Sequence, residues 1–381
     1  MLIGEIFTAR VETLVAGGMG MCRLRGRTVF APSAAPGDVI AGRIRDLRRD
    51  WALAEILEIL EPSPGRTGPR CPKYGPCGGC SWQHLTYPTQ LAEKRNILRD
   101  ALVRIGGFSP PQEPAIHPSP PYEYRNRVQF HRSPKGGIGF KAKASGNIIP
   151  LLDCPVADPG IRQALREKRI IPPPEKNRFT VYAWRDTFLS EAGPARGKVR
   201  LLDRELLLDA GVFFQSNGPL LEQVISIVKE KAEAADAEKK AADVYCGVGT
   251  FGAFLKDRFP RLDAVEENKT ALILARENVP GGEVQPWAVS ADSWAKAQPD
   301  PMPYGFVIVD PPRQGLSPFV RTRLAQSGPP LLAYLSCDPA SFARDAAGLV
   351  KGGYSLEDLH IFDFYPQTPH LEILGFFFSD F

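Results

Sequence analysis

The stretch AADVYCGVGTFG, residues 241–252, decides the fold, because an apolar strand runs directly into a glycine loop. Gly247, Gly249 and Gly252 form the pattern G-x-G-x-x-G, in which glycines let the backbone turn tightly into a helix and approach a ligand closely. Helical patterns and apolar strands alternate from residue 218 onward. This order predicts an α/β domain with a largely parallel sheet over residues 212–381.

The glycine loop alone is compatible with three interpretations: a dinucleotide site, an S-adenosylmethionine site, or a tight turn without a ligand. The next strand, LDAVEEN (262–268), leads to Glu266, whose carboxylate suits ribose hydroxyls or simply begins a helix. The strand YGFVIVDPPRQGL (304–316) ends at Asp310 and two prolines. Ligands of open α/β sheets bind beyond the carboxyl ends of such strands, although the prolines also serve to end the strand.

A third strand, LLAYLSCDPASFARD (331–345), ends at Cys337 and brings a thiol to the same edge of the sheet. Such a cysteine is either a small core residue or, as a thiolate, a nucleophile. Near the C-terminus, FDFYPQTPHLEILGFFF (362–378) predicts two strands around a loop that carries His370 and Glu372. Either side chain could accept a proton, whereas the alternative for Glu372 is exposure on an edge strand.

A second chemical pattern lies in CPKYGPCGGC (71–80), which contains Cys71, Cys77 and Cys80. The chain has seven cysteines, an odd number, and the sequence shows no sign of secretion. Clustered cysteines in a reducing compartment more often bind metal or perform chemistry than form disulfides.

Composition predicts a soluble, cytoplasmic protein of two or three domains, with no apolar run long enough to span a membrane. The net charge of +4 is weak support for a nucleic-acid partner. The stretch YEYRNRVQFHRSPKGGIGFKAK (122–143) is more informative, because Arg125, Arg127 and Arg132 alternate with aromatic residues. Such a segment either contacts RNA or forms a solvated pair of strands.

The remaining segments divide the chain further. Residues 1–60 alternate apolar and polar side chains and predict the short strands of a small barrel. Residues 61–211 predict a central, β-rich domain that begins with a Pro- and Gly-rich linker. Within it, residues 85–116 contain a helical pattern that we expect to pack on the catalytic domain.

Taken together, these motifs resemble the RNA uridine-5 methyltransferases, especially the iron–sulfur type that acts on 23S ribosomal RNA. The resemblance covers nearly the whole chain and rests on motifs that occur in the family's order: C-x5-C-x2-C, YRNRVQF (124–130), LLDCPV (151–156), FFQSN (213–217), the glycine loop, VDPPRQGL (309–316), SCDPASFARD and TPHLEI (368–373). It implies a TRAM-type (OB-like) RNA-binding barrel, a central iron–sulfur domain and a Rossmann-like S-adenosylmethionine methyltransferase domain.

The resemblance also implies roles for individual residues. Cys337 is the nucleophile that attacks carbon 6 of uracil, and Glu372 is the base that removes the proton from carbon 5. Cofactor contacts are expected from Gln215, Tyr245, Gly247, Thr250, Glu266 and Asp310. RNA contacts are expected from Phe213, Arg125, Arg127 and Arg132, and a 4Fe-4S cluster, with zinc as the alternative, from Cys71, Cys77, Cys80 and Cys154.

The sequence leaves open the RNA substrate, the residue that contacts adenine, and the effect of Asp338. Asp338 follows the nucleophile where the family often has Asn, and a carboxylate there would raise the thiol pKa unless it is paired or points away. Ser290 and Asp292 are both candidates to approach adenine. The substrate is expected to be ribosomal RNA, with transfer RNA as the alternative, and the protein to be a monomer. An inactive RNA-binding protein or chaperone is the competing function.

Overall fold

The computed structural model of the protein describes residues 1–110, 112–134, 136–143, 145–281 and 283–379. None of the helices in these ranges is long and apolar enough to cross a membrane.

The N-terminal segment folds as one six-stranded sheet in the order β1-β5-β6-β4-β3-β2. Its strands are β1 (Ile6–Arg10), β2 (Thr13–Leu14), β3 (Gly20–Leu24), β4 (Arg27–Ala31), β5 (Val39–Leu47) and β6 (Trp51–Glu61). Side chains alternate between core and solvent, as Ile40 and Ile44 of β5 show by their complete burial. The predicted closure into a barrel is wrong: the edge strands β1 and β2 do not pair with each other, because the two-residue β2 pairs only with β3.

A helix and a short strand follow the cysteine segment. Helix α1 (Tyr87–Ala101) continues as a π-helical turn (Leu102–Gly106) and ends where Gly107 adopts a φ of +73°. Strand β7 (Ala115–His117) comes next, inside the Pro-rich stretch PPQEPAIHPSPP (110–121).

The central region is a five-stranded antiparallel sheet in the order β10-β9-β8-β11-β12, followed by a two-stranded hairpin. The elements are β8 (Arg127–Arg132), β9 (Ile138–Lys141), β10 (Ile148–Pro150), α2 (Pro159–Arg166), β11 (Arg178–Trp184), β12 (Thr187–Ser190), β13 (Arg196–Leu201) and β14 (Arg204–Asp209). Val128, Phe130, Phe179 and Val181 form its buried face against Ile161 of α2.

The C-terminal half is the expected α/β domain. Its elements are α3 (Gly218–Ala232), β15 (Lys240–Val244), α4 (Thr250–Leu255), β16 (Leu262–Val265), α5 (Lys269–Asn278), β17 (Val284–Trp287), α6 (Ala291–Ala297), β18 (Tyr304–Val309), α7 (Pro318–Ser327), β19 (Leu331–Ser336), α8 (Pro339–Lys351), β20 (Ser355–Phe362) and β21 (Glu372–Phe378). The strands of this list, together with β7, form an eight-stranded sheet in the order β17-β16-β15-β18-β19-β21-β20-β7. Leu98 of α1 and Leu102 belong to the same buried cluster as Phe342 of α8, so the first long helix packs on this domain.

Strand direction positions the candidate site. β15, β16, β18 and β19 are parallel, so the residues that follow them share one edge of the sheet. β21 runs antiparallel to β19, with Ile373 opposite Ser336. This register brings Glu372, the first residue of β21, next to Cys337, which directly follows β19.

Candidate active site

One cavity of about 790 Å³ lies at the carboxyl edge of the parallel strands. It is lined by most of the residues that the sequence singled out: Arg125, Phe213, Gln215, Tyr245, Gly247, Thr250, Glu266, Asp310, Cys337 and Glu372. These residues are distributed over more than half of the chain length, and the sheet topology brings them together.

The glycine loop forms one wall of this cavity. Gly247 and Gly249 have φ angles of +54° and +80°, and Gly249 precedes the first turn of α4. A side chain at Gly249 would place its Cβ 2.9 Å from a methyl group of Val279, so both backbone angle and space require glycine there. The Gly247 N–H donates to Glu266 Oε2 at 3.0 Å, which joins the loop to the carboxylate after β16.

The cavity also contains carboxyl and amide groups that suit a cationic ligand. The pKa of Asp310 is raised to about 7, chiefly by burial and also by the neighbouring carboxyls of Asp243 and Glu266, while a hydrogen bond from Gln215 opposes the shift. Burial likewise raises the pKa of Asp243 to about 7. Gln215 Oε1 is buried and lacks a hydrogen-bond partner among the described residues. A sulfonium and an α-ammonium group would supply the missing positive charge and donor, so these residues fit S-adenosylmethionine.

Cys337 lies at the end of β19, half-buried, as a candidate nucleophile. The pKa of its thiol is raised to about 12, chiefly by burial and then by the Glu372 and Asp310 carboxyls, while Arg313 opposes the shift. Asp338 contributes least to this shift. Its Oδ1 accepts a hydrogen bond from the Ser341 N–H at 2.8 Å and caps α8, so this carboxylate is paired and has a structural role of its own.

Glu372 is buried, with 4% of its surface exposed, rather than open to water on an edge strand. Burial raises the pKa of its carboxyl well above the usual range, Asp310 raises it further, and Arg313 lowers it. The carboxyl therefore has the high proton affinity that a base in a closed site requires.

The sequence predicted no role for Arg313 beyond its place in the motif VDPPRQGL. In the structure it is the cation that opposes the raised pKa values of Cys337 and Glu372. It lines the cavity two residues beyond Pro311. Tyr365 and Thr368, from the loop between β20 and β21, line the cavity as well, together with His370. For Tyr365 and Thr368 the only sequence signal was their proximity to Glu372 in the chain, whereas His370 was already a candidate proton acceptor.

Of the predicted RNA contacts, Phe213 and Arg127 lie against each other, whereas Arg132 lies away from the cavity. Phe213 is 59% exposed and lies under the Arg127 guanidinium, at 5.6 Å from ring centroid to Cζ. Arg127 also donates to the Val212 carbonyl oxygen at 3.2 Å. Arg132 donates to the carbonyl oxygens of Pro172 and Pro173 and is not part of the cavity wall.

A second cavity, of about 450 Å³, shares Tyr245 and Glu266 with the first. Ser290 and Asp292 both line it. Ser290 caps α6 by accepting from the Ser293 N–H, and Asp292 accepts from the Ser317 hydroxyl at 2.9 Å.

Cys71, Cys77, Cys80 and Cys154 line one small pocket beside the main cavity, and Arg125 and Gly79 line both. Within the described ranges, however, no group of three or more His, Cys, Asp or Glu residues is arranged to hold a metal ion. The four thiols are therefore neighbours without the close arrangement of a single-ion site.

Comparison with known proteins agrees with this architecture. The family model described as tRNA (Uracil-5-)-methyltransferase matches residues 198–380. An RNA methyltransferase of Treponema denticola, of uncharacterized specificity, is 32% identical over 97% of this chain and 98% of its own length. The chain belongs to the RNA (uracil-5-)-methyltransferase family.

A curated relative and a solved structure of this RNA methyltransferase family both come from Pyrococcus abyssi and carry the same enzyme name. A tRNA (uracil(54)-C(5))-methyltransferase is 30% identical over 91% of this chain and 95% of its own. The crystal structure of the tRNA (uracil-54, C5)-methyltransferase with S-adenosyl-L-homocysteine matches with a TM-score of 0.74 and 26% identity, over 97% of this chain and 100% of that one. This methyltransferase thus has the S-adenosylmethionine-dependent fold of its family.

Proposed function

We propose that this methyltransferase, acting as a cytoplasmic monomer, modifies carbon 5 of a uridine in transfer RNA through a covalent bond to Cys337. The observation that carries the proposal is the register of β19 and β21, which sets a thiol and a buried carboxyl side by side at the cavity. A merely RNA-binding protein would have no use for this pair.

The proposed chemistry uses each group once. The Cys337 thiolate attacks carbon 6 of uracil, forming a sulfur–carbon bond and an enolate. S-adenosylmethionine supplies, when bound, the methyl group that carbon 5 takes. Glu372 then removes the proton from carbon 5, the double bond between carbons 5 and 6 forms again, and the sulfur–carbon bond breaks.

The cofactor is assigned to the wall that contains the glycine loop. Gly247 and Thr250 approach it from the loop, Glu266 accepts from its ribose, and Gln215 and Asp310 face its charged end, with Tyr245 between the two cavities. Support comes from the unpartnered Gln215 oxygen, the raised pKa of Asp310 and the shared cavity wall. Ser290 and Asp292 are assigned to the adenine side because they line the adjoining cavity.

The RNA side is assigned to Phe213, Arg125 and Arg127. An exposed aromatic ring beside a partly buried guanidinium suits stacking on a base that has left its helix or loop. Arg132 is the weakest of the predicted RNA contacts, because carbonyl oxygens already occupy its guanidinium.

Transfer RNA leads as substrate because the Pyrococcus abyssi relative, in its sequence and its solved structure, is named as a tRNA (uracil-54) methyltransferase. The second candidate is 23S ribosomal RNA, which the sequence resemblance implied and which the set of four cysteines favours.

The test offers unmodified transfer RNA and unmodified 23S ribosomal RNA separately to anaerobically prepared protein with labelled S-adenosylmethionine. We expect label at carbon 5 of a uridine in transfer RNA and no label with Cys337→Ala. Label confined to ribosomal RNA would support the proposed chemistry and would identify ribosomal RNA, not transfer RNA, as the substrate. Absence of label from both would reject the proposed function.

We also propose that Cys71, Cys77, Cys80 and Cys154 hold a 4Fe-4S cluster. Four thiolates are its usual ligand set, and a four-iron cluster holds its ligands farther apart than a single zinc ion does. Support comes from the small pocket that these four thiols share. Iron and acid-labile sulfide in anaerobic protein, both lost in Cys80→Ser, would agree with this proposal, whereas stoichiometric zinc without iron would reject it.

A further inference from the structure

The loop between β20 and β21 carries several cavity residues, including Tyr365, His370 and, at its end, Glu372. Gln367 stands at the centre of this loop with only 3% of its surface exposed. Its φ angle is +70°, a left-handed conformation that non-glycine residues adopt at an energetic cost. Such a conformation persists only where surrounding contacts hold it.

Those contacts come from three separate segments. The Gln367 carbonyl oxygen accepts from the N–H groups of Ser81 and Trp82, at 3.1 and 3.0 Å, immediately after Cys80. The Gln367 side chain donates to the Pro121 carbonyl oxygen at 3.3 Å. Gln367 therefore connects the loop between β20 and β21 to the residues that follow Cys80 and to the segment that precedes the central sheet.

The third segment is α1, through a reciprocal pair of hydrogen bonds with Gln90. The Gln367 N–H donates to Gln90 Oε1 at 2.8 Å, and Gln90 Nε2 donates to Gln367 Oε1 at 3.0 Å. Gln90 is fully buried and also donates to the carbonyl oxygens of Trp82 and Leu85. One glutamine thus holds the backbone and the side chain of another.

We infer that Gln367, held by Gln90, is a positioning residue for Glu372. Gln367 does not line the cavity, and it acts by fixing the path of the four residues between itself and the base. The inference rests on the proposed function, in which Glu372 removes the proton from carbon 5. Loss of the glutamine pair should therefore slow proton removal more than thiol attack, because Cys337 directly follows β19 and is not part of this loop.

Two variants test the pair without introducing new strain. Gln90→Leu keeps the volume of the side chain but removes its four hydrogen bonds. Gln367→Gly keeps the left-handed backbone and its carbonyl oxygen while removing the side chain. Gln298→Leu is the matched control, because Gln298 is also a buried glutamine with side-chain hydrogen bonds, formed to Tyr304 and Trp294.

The two steps are measured separately on the RNA that wild-type protein methylates. Covalent trapping by the same RNA containing 5-fluorouridine reports thiol attack and methyl transfer, since fluorine cannot leave as a proton does. Tritium release from 5-tritiated uridine in a single turnover reports proton removal. We expect Gln90→Leu and Gln367→Gly to slow tritium release by at least about tenfold while trapping rates change little. Gln298→Leu should leave the ratio of the two rates unchanged.

The outcomes separate this inference from the proposed function. Wild-type protein that methylates no RNA, or that methylates RNA without trapping and tritium release, would reject the proposed function. Wild-type activity with equal losses in both steps for the two variants, or with losses matched by Gln298→Leu, would show a general structural effect and overturn the positioning role. Melting temperatures of all three variants establish that each remains folded.

Discussion

Two carboxyl groups, Glu372 and Asp310, lie near the Cys337 thiol in the cavity. Their negative charges influence the protonation state of the thiol and of each other. Cys337 faces Glu372 and Asp310, and only Arg313 opposes them at the thiol. Every anion in the group raises the proton affinity of the others, since their charges repel in a buried site. A positive charge from a ligand therefore has a large effect on all of them at once.

The reactivity of Cys337 should depend on the charge of the cofactor. With a thiol pKa of about 12, alkylation by iodoacetamide should be slow at neutral pH and should rise with pH. S-adenosylmethionine should accelerate it relative to S-adenosylhomocysteine, because the sulfonium charge stabilises the thiolate. Mass spectrometry of the Cys337 peptide measures the rate. Equal rates with both ligands would contradict the argument.

Affinity for S-adenosylmethionine should depend on pH in a definite direction. Asp310 and Asp243, each with a pKa raised to about 7, are largely protonated below that pH and ionised above it. A cation binds the ionised form better, so affinity should fall as pH decreases from 8 to 6, by up to about tenfold per pH unit for each proton taken up. Calorimetric titration of wild type and Asp310→Asn measures this. The variant should bind more weakly at pH 8 and vary less with pH.

At the scale of single elements, the ends of strands and the starts of helices carry the chemistry. α4 begins after Gly249, and α8 begins after Asp338, so the two helices begin next to the cofactor loop and the nucleophile. The cap at Asp338 explains how a carboxylate beside the thiol is tolerated: its oxygen is engaged by the Ser341 N–H.

Asp338→Ala should reduce the free energy of unfolding by about 1 kcal/mol, the usual value of an N-cap side chain. Asp338→Asn should keep most of this stability, because its side-chain oxygen also accepts from the helix, and should lower the thiol pKa slightly. Urea unfolding and the pH profile of Cys337 alkylation provide the two measurements. If Asp338→Asn lost as much free energy of unfolding as Asp338→Ala, this would contradict the capping role of Asp338.

At the scale of the whole molecule, segments distant in sequence are joined at the catalytic loop. Lys94 of α1 and Asp363, the residue after β20, form an ion pair in which both side chains are completely buried. Lys94 also donates to the Tyr365 carbonyl oxygen at 3.2 Å. Burial lowers the pKa of Lys94, and Asp363 counteracts this effect.

Removal of one partner should be much worse than removal of both. Lys94→Met leaves a buried carboxylate unpaired and should reduce the free energy of unfolding by about 3–5 kcal/mol. Lys94→Met combined with Asp363→Leu should recover part of this loss, because no charge then remains buried. Urea unfolding of the single and double variants tests the expectation. Additive losses would mean that the two side chains do not act as a pair.

The sequence by itself determined the α/β class and singled out many of the residues that line the cavity. Glycine loops and strand ends are local patterns, and parallel strands necessarily bring their carboxyl ends to one edge. Only the tertiary structure decided that the N-terminal sheet is open, that β7 joins the catalytic sheet, that Arg132 binds prolyl carbonyl groups, and that Gln367 meets Gln90. These features depend on pairing between segments far apart in the chain, for which local sequence carries no periodicity and no spacing rule.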